Sequence, residues 1–528
     1  MPKIEFEKKS MEEFLGFGIE RFKELLPKLG ISLEDEDENN IVLEINPNRT
    51  DWLSPENLAR SIRQFLSIEE PKKVNTLDSN YKVIVKESVK DVRPFTVCAV
   101  VELSHFDESL LKSMIQLQEK LHLTFGRNRK KLAIGIYPAE KIKFPITFFA
   151  EDPKKIKFVP LNETEEMYAY EILEKHEKGI KYAELLKGKE KFPFFKDAND
   201  NILSMPPIIN SEFTGRVTQD TRKVFIEVSG FNLHYLNLAL NIMLYTFMFH
   251  EAKVYKVNVE YEKDKTIVTP NFEWKKYELN EDYVNYILGK NVNVRLLNKM
   301  GYLVEKKDDL CIVEVPPYRT DVMHKIDLVE DLAIAYGYDN FNALKSNIET
   351  DGEENEISKL SKTLNELMIA LGFVELKTYS LENDTFADEK TVKLFNSVNT
   401  DYTAMRKSLL FNLLKVVQSN KQKKDLMIYE IGRVYEWDDD KIKEKDVIGI
   451  MITHKNVSLI RQIADYLFDK FRIKPNYVED KNEFFIPGRF VKFKTAFLGE
   501  IHPKILKIQG ISFPVSYLEI PLDLFLGR

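Results

Sequence analysis

Asp321, Asp327, Glu330 and Asp331 fall within eleven consecutive positions (321–331) of the stretch VPPYRTDVMHKIDLVEDLAIAYGYDNF. Spacings of three and four put Asp327, Glu330 and Asp331 on one face of a helix, with Asp321 near its start. Val322, Ile326, Val329, Ala333 and Tyr336 form an apolar stripe opposite. Such a helix has two readings. In one, the acids serve as a solvated face, and Asp321 is a first-turn acid favoured by the helix dipole. Against it, like charges at these spacings repel by about 0.2–0.5 kcal/mol each. Few basic residues stand close in sequence, and Ile334 lies among the acids. In the other reading the carboxylates hold a hard cation such as Mg²⁺ against a partner surface, since that ion takes oxygen ligands and keeps water. A two-metal nuclease centre ranks low. Its ions sit roughly 4 Å apart and draw ligands from several elements, whereas these acids share one.

Two other stretches place polar residues in unusual company. LSMPPIINSEFTGRVTQDTRKVFIEVSGF (203–231) sets two prolines, an asparagine, a glycine and several hydroxyl residues before a β-rich run. Taken alone, Asn210 can stabilise the turn after the prolines, and Glu227 can be an exposed strand residue. GRNRKKLAIG gathers Arg127, Arg129, Lys130 and Lys131, either as a solvated turn or as a grip on phosphates. NPNRTD, with Asn46, Asn48, Arg49 and Asp51, reads as a turn satisfied by its own side chains. No HExxH spacing occurs, and Cys98 and Cys311 are the only cysteines, which excludes a disulfide framework and a Cys-rich zinc site.

The elements that must position these residues belong to a multidomain α+β chain. At 528 residues the length suggests about three to five domains. A content of 44% hydrophobic and 30% charged residues is that of folded domains rather than of a disordered chain. The net charge of −7 is small, so a nucleic acid partner must be held by local basic patches. The polar start MPKIEFEKKS is unlike a signal peptide, no apolar run approaches membrane-spanning length, and the scarce cysteines fit a reducing compartment.

Residues 1–78 read as an α/β unit with one helix from Met11 to Gly30 and another after the N-cap Ser54. Residues 79–260 read as a larger α/β region closed by the apolar helix NLHYLNLALNIMLYTFMFHE. Residues 261–345 read as a small unit entered through KTIVTPNFEWKKYEL and ended by the acidic helix. Residues 346–528 follow the linker SNIETDGEENE and read as an antiparallel sheet with helices. No short internal repeat stands out.

These segments, in this order, resemble the β subunit of phenylalanyl-tRNA synthetase, archaeal/eukaryotic cytosolic type. The resemblance spans nearly the whole chain. It is carried by EINPNRTDWLSPENLARSIRQFL, QLQEKLH with GRNRKKLAIG, LSMPPIIN with TRKVFIEVSG, VPPYRTDVMHKIDLVEDLAIAYGYDN, MIYEIGRVYE, and FIPGR with LGEIHPKIL.

The resemblance implies that Asp321, Asp327, Glu330 and Asp331 bind Mg²⁺ at a contact with an α subunit in an α₂β₂ heterotetramer. It implies that residues 79–260 form an editing domain that hydrolyses Tyr-tRNA(Phe), with Ser204, Asn210, Arg216, Glu227 and Ser229 in its pocket. Other members carry Asp and Thr where this chain has Glu227 and Ser229. Arg127, Arg129, Lys130 and Lys131 are then candidate tRNA contacts.

Residues 346–528 resemble the class II synthetase fold without its FRxE-like strand or GxGxxR helix, and neither Arg433 nor Arg528 sits in the required frame. ATP and phenylalanine would be used at the α-subunit site, in the cytoplasm. A scaffold subunit whose editing has decayed is the alternative.

Overall fold

Ile4 and Phe6 alternate with charged residues, so the strand Lys3–Glu7 buries one face and exposes the other. It pairs antiparallel with Asn40–Glu44, which pairs in turn with Ser32–Glu36. The single helix expected before Gly30 is instead three pieces: Lys8–Leu15, Ile19–Leu25 and the 3-10 turn Pro27–Leu29. Gly16 divides it because its φ of 78° is left-handed and ends the first helix. Ser54 caps the helix Pro55–Phe65, accepting from Asn57 N at 3.2 Å.

The computed structural model describes residues 2–262, 265–307, 310–346, 348, 350–423 and 425–527. The chain forms two compact units, Met1–Lys345 and Ser346–Arg528.

In the first unit, residues 1–78 share one core with the larger region that follows. Ile4, Phe22, Leu43 and Leu58 are continuous with Val97, Leu117, Ile226 and Leu240. The middle of this unit has three layers. The helices Glu108–Leu123 and Leu233–Phe249 cover a four-stranded sheet in the order Lys253–Tyr255, Phe95–Glu102, Lys223–Gly230, Leu132–Pro138. The other face of that sheet meets a seven-stranded one that runs from Ile209–Asn210 and Ile202–Met205 to Val257–Tyr261 and Lys265–Thr269. The last of these strands corrects a sequence reading. Lys265–Thr269 pairs with Val257–Tyr261 as a hairpin at the edge of this sheet, so the small unit begins at the next strand, Lys275–Asn280.

That small unit repeats the plan of the N-terminal one, a repeat the sequence reading missed. In each, the middle strand of a three-stranded sheet runs into the pattern E-[IV]-x-P-x-R-T-D, at 44–51 and 314–321, and then into a helix. The two RTD turns face each other. Arg49 grips Asp51 through Nε (2.9 Å) and Nη2 (2.7 Å). Arg319 grips Asp321 in the same way, at 2.8 and 2.8 Å, and also reaches Asp331 at 2.7 Å. Thr50 and Thr320 share a hydrogen bond of 2.8 Å between the turns.

In the second unit, alternation along Met427–Asp438 and Lys441–Thr453 fills both faces of a seven-stranded sheet. Tyr429, Ile431, Ile448 and Ile450 pack under the helices Glu356–Ala370 and Val457–Lys470. Ile428, Val434, Val447 and Met451 pack under Leu410–Ser419. The sheet is antiparallel except for the pair formed by Val374–Glu375 with Met427–Asp438. Among the described residues no helix is long and apolar enough to cross a membrane.

Replacing Arg319 by Met leaves Asp321 and Asp331 in place without their cation. This substitution is expected to cost about 3–5 kcal/mol, read as a lower urea midpoint. Arg433→Met, which removes an ion pair whose arginine is half exposed, is expected to cost at most about 1 kcal/mol.

Candidate functional site

The period of two along Lys223–Gly230 decides which side chains enter the space between the two sheets. Val224, Ile226 and Val228 face the helices, while Phe225, Glu227 and Ser229 face the seven-stranded sheet. Glu227 is 1% exposed, not the exposed strand residue that local sequence allowed, and Ser229 is fully buried. Register places Gly135 directly opposite Glu227. A Cβ at Gly135 would come within 2.6 Å of Glu227 Oε1, so glycine leaves the space this carboxyl occupies.

Tyr137, two residues along and on the same face, donates to Ser204 Oγ at 2.7 Å and to Glu227 Oε1 at 3.3 Å. Ser204 arrives on Ile202–Met205, paired across the strand with Asn210. Glu227 Oε2 has no partner among the described residues. Ser204, Asn210 and Glu227 thus line one small pocket, of about 80 Å³, together with His122, Arg129 and Pro206.

Burial pushes the Glu227 carboxyl up from 4.5 to about 8, against the attraction of Arg93. Arg93 cannot reverse this because its own bonds go elsewhere: Nε to Ser229 Oγ at 3.0 Å and Nη2 to Ser229 O at 2.6 Å. At neutral pH Glu227 is therefore largely a protonated acid, able both to donate and to accept.

His122 is no base for Ser204. Its Nε2 accepts from Ile134 N at 2.7 Å, which leaves the ring proton on Nδ1, and burial pushes its pKa down to about 4. Among the described residues of the pocket no nucleophile is hydrogen-bonded to a side-chain base of the Ser–His kind.

The basic turn divides between two roles. Arg127, Asn128 and Arg129 have left-handed φ values of 47°, 56° and 66°. This conformation is costly for residues other than glycine, and it turns Arg129 inward. Arg129 donates to Pro207 O, Ile208 O and Glu119, and lies 4.5 Å over the Tyr182 ring. It braces the pocket wall and is 6% exposed, whereas Arg127, Lys130 and Lys131 are exposed. Arg216 does not line the pocket; it is exposed and paired with Glu212. The sequence reading missed Tyr137, Gly135, Arg93 and His122. The available sign was the two-residue spacing of Gly135 and Tyr137 on a buried strand.

The four acids of the opening stretch line a second cleft, shared with Asn46, Asn48, Arg49 and Trp52 of the first RTD turn. The helix itself runs only from Lys325 to Tyr336, so Asp321 precedes it. Val322, Val329 and Ala333 of the apolar stripe are buried as expected, whereas Ile326 is 39% exposed and Asp331 is buried. Arg319 takes Asp321 and Asp331, and Tyr302 also donates to Asp331. Burial pushes Asp321 up, but Arg319 more than offsets it and holds that carboxyl below 3.8. The basic partner is Arg319, two residues before Asp321, which the RTD turn brings onto both carboxylates.

Asp327 accepts from Met323 N and His324 N, closing a capping box, and Glu330 accepts from Tyr338. Among the described residues no three metal-ligating side chains converge. A four-carboxylate cage does not fit this arrangement. A hydrated Mg²⁺ taking Asp327 and Glu330 does fit, since one or two carboxylates with retained water suffice for that ion.

In the second unit Arg433 is half exposed and paired with Glu444 and Asp446. The buried arginine is Arg406, bound to Glu430, Thr378 and Arg433 O. Arg528 lies outside the described residues.

Residues 344–522 match the family described as Phenylalanyl tRNA synthetase beta chain CLM domain, and residues 277–338 match the tRNA synthetase B5 domain. The phenylalanine–tRNA ligase β subunit of Pyrococcus horikoshii is 36% identical over 98% of this chain and 99% of its own length. That of Methanocaldococcus jannaschii is 34% identical over 99% and 100%. The chain belongs to the family of phenylalanine–tRNA ligase β subunits. A solved N-terminal fragment of the phenylalanyl-tRNA synthetase β subunit from Pyrococcus horikoshii covers 63% of this chain at 43% identity, with a TM-score of 0.61. In this β-subunit family member the CLM match coincides with the second unit, and the B5 match contains all four acids.

A carboxyl raised on folding binds more protons in the native chain than in the unfolded one. Its stabilising contribution is full below the unfolded value of 4.5 and is lost as pH rises to about 8. The stability of the native chain minus that of Glu227→Gln is therefore expected to decline from about pH 5 to about pH 8 in urea titrations at fixed ionic strength. A flat difference would place Glu227 in water.

Proposed function

We propose that this chain works as the β subunit of a cytoplasmic phenylalanine–tRNA ligase and that the pocket between its two sheets clears Tyr-tRNA(Phe). It supports the ATP-dependent attachment of phenylalanine to tRNA(Phe), with ATP and phenylalanine bound by an α subunit in an α₂β₂ assembly.

The observation that carries the editing reading is the buried Tyr137–Ser204–Glu227 group, in which Glu227 Oε2 is unpartnered at the pocket. A tyrosyl hydroxyl both donates to and accepts from a protonated carboxyl. A phenylalanyl ring leaves that buried group unsatisfied, at a cost of about 1–3 kcal/mol. A hydrophobic pocket rejects an added hydroxyl by only about 100-fold, which is why a second, hydrolytic sieve is useful; this double-sieve argument is an established one for the enzyme class. Asn210 stands at the wall where the ester would lie, and the attacking water is held rather than ionised by a side chain. Arg127, Lys130 and Lys131 are proposed to meet the phosphates of the tRNA end, with Arg129 and Arg216 bracing the structure around the pocket.

The second unit serves assembly. Support comes from its chemistry: both sheet faces are filled by apolar side chains, and the buried Arg406 is paired with Glu430. Mg²⁺ is proposed at Asp327 and Glu330, bridging to the α subunit, with Asp321 and Asp331 holding the fold through Arg319.

Two experiments separate these roles. In the assembled enzyme, Asn210→Ala with Glu227→Ala is expected to slow tyrosine release from Tyr-tRNA(Phe) by about 100-fold or more while phenylalanine charging is unchanged. Unchanged tyrosine release would leave a scaffold role alone. For the metal, Asp327→Asn with Glu330→Gln is expected to lower bound Mg²⁺ and α-subunit association at full stability. Asp321→Asn is expected to lower stability instead. Equal metal content in all three proteins would make the cleft a solvated face.

A further inference from the structure

Among the described residues, the titratable side chains that line the pocket at Glu227 are Glu119, His122, Arg129, Lys178 and Glu227 itself. Two of them are largely uncharged at neutral pH, because burial pushes Glu227 up to about 8 and His122 down to about 4. Glu119 is held down to about 2, first by its hydrogen bond with His122 and then by the charge of Arg129. Arg129 Nη2 lies 2.7 Å from Glu119 Oε1, so these two charges answer each other. Lys178 remains. Among the described residues its Nζ has neither an ion pair nor a hydrogen-bond acceptor. Glu174 and Glu177, the acids nearest to it in sequence, are exposed and do not pair with it.

The fold sets where this free cation stands. Glu227 and Ser204 are 1% and 2% exposed, whereas Lys178 is half-buried, so it occupies the outer end of the pocket and they occupy its floor. Its backbone is pinned at the start of the helix Glu177–Tyr182, where Lys178 N donates to the buried His176 Nδ1 at 3.1 Å. The same helix ends on Tyr182, whose ring lies 4.5 Å from Arg129 and 5.4 Å from Lys181. Helix and basic turn thus flank one ring beside the pocket.

An aminoacyl-tRNA end brings two kinds of charge toward such a mouth. Its α-ammonium is repelled by a lysine, and its terminal phosphodiester is attracted. An ammonium with three donors and no acceptor is a point charge suited to phosphate oxygens.

We propose that Lys178 is a positioning residue that holds the phosphate of the terminal tRNA nucleotide and so seats the tyrosyl ester in the pocket. The inference rests on the editing reading and adds to it the group that grips the chain end.

The test follows tyrosine release from Tyr-tRNA(Phe) by the complex with the α partner, against substrate concentration and at several salt concentrations. Lys178→Ala is expected to raise KM roughly tenfold with kcat unchanged. It is also expected to flatten the slope of log kcat/KM against log salt by about 0.7 to 1, the signature of one lost phosphate contact. Lys178→Arg keeps the charge and is expected to match the parent in both readouts. The proposal is overturned if Lys178→Ala retains the parent's salt slope, whatever its KM, or if Lys178→Arg is impaired as much as Lys178→Ala. A parent complex that leaves Tyr-tRNA(Phe) intact removes the editing reading, and this proposal with it. A parent that releases tyrosine beside variants that cannot be told from it removes this proposal alone.

Discussion

Two arginine–aspartate forks, at Arg49–Asp51 and Arg319–Asp321, face each other inside the first unit and are joined through Thr50 and Thr320. Taking such charges out of water costs several kcal/mol per ion, and only good geometry with further hydrogen bonds recovers it. Both conditions hold here. Each fork is bidentate, Arg49 also stacks at 3.6 Å on Trp52, and Arg319 adds Asp331. The arrangement therefore tolerates little displacement. It fixes the start of the helix Pro55–Phe65 relative to that of Lys325–Tyr336, and with it the wall of the acidic cleft. It also pairs Asp321 and Asp331 with Arg319, while Asp327 and Glu330 make no bond to it.

The pocket between the sheets works by the opposite logic. There a carboxyl is buried without a close cation, because Arg93 is committed to Ser229, and the site answers by protonation. A neutral acid beside a tyrosine and a serine can donate and accept without carrying a charge into a dry space, and the proposed editing role rests on that property. The left-handed turn at 127–129 and the brace from Arg129 to Pro207 and Ile208 hold the walls around that acid.

The second unit has a sheet whose two faces are filled by side chains from helices on either side. Its buried polar groups answer one another: Arg406 with Glu430 and Thr378, and Glu519 with Ser408 and Tyr517. Not every group is answered in this way: Glu382 Oε2 and Asn412 Oδ1 have no partner among the described residues.

Sequence by itself determined the α+β class, the break near residue 345, and the burial of the helix Leu233–Phe249. These follow from composition, linker polarity and apolar runs, which are local quantities. It also placed Ser204, Asn210, Glu227 and the acidic cluster in stretches of functional interest. It did not reveal the split at Gly16, the edge strand Lys265–Thr269 or the meeting of the two RTD turns, because a cap, a strand partner and a facing turn are each defined by something elsewhere in the chain. Nor could it separate Arg129 from its basic neighbours, or Asp321 and Asp331 from Asp327 and Glu330. Residue type says what charge a side chain can carry. Whether that charge meets water, a partner or nothing depends on which strands pair and which turns meet, and here only the tertiary structure decided it.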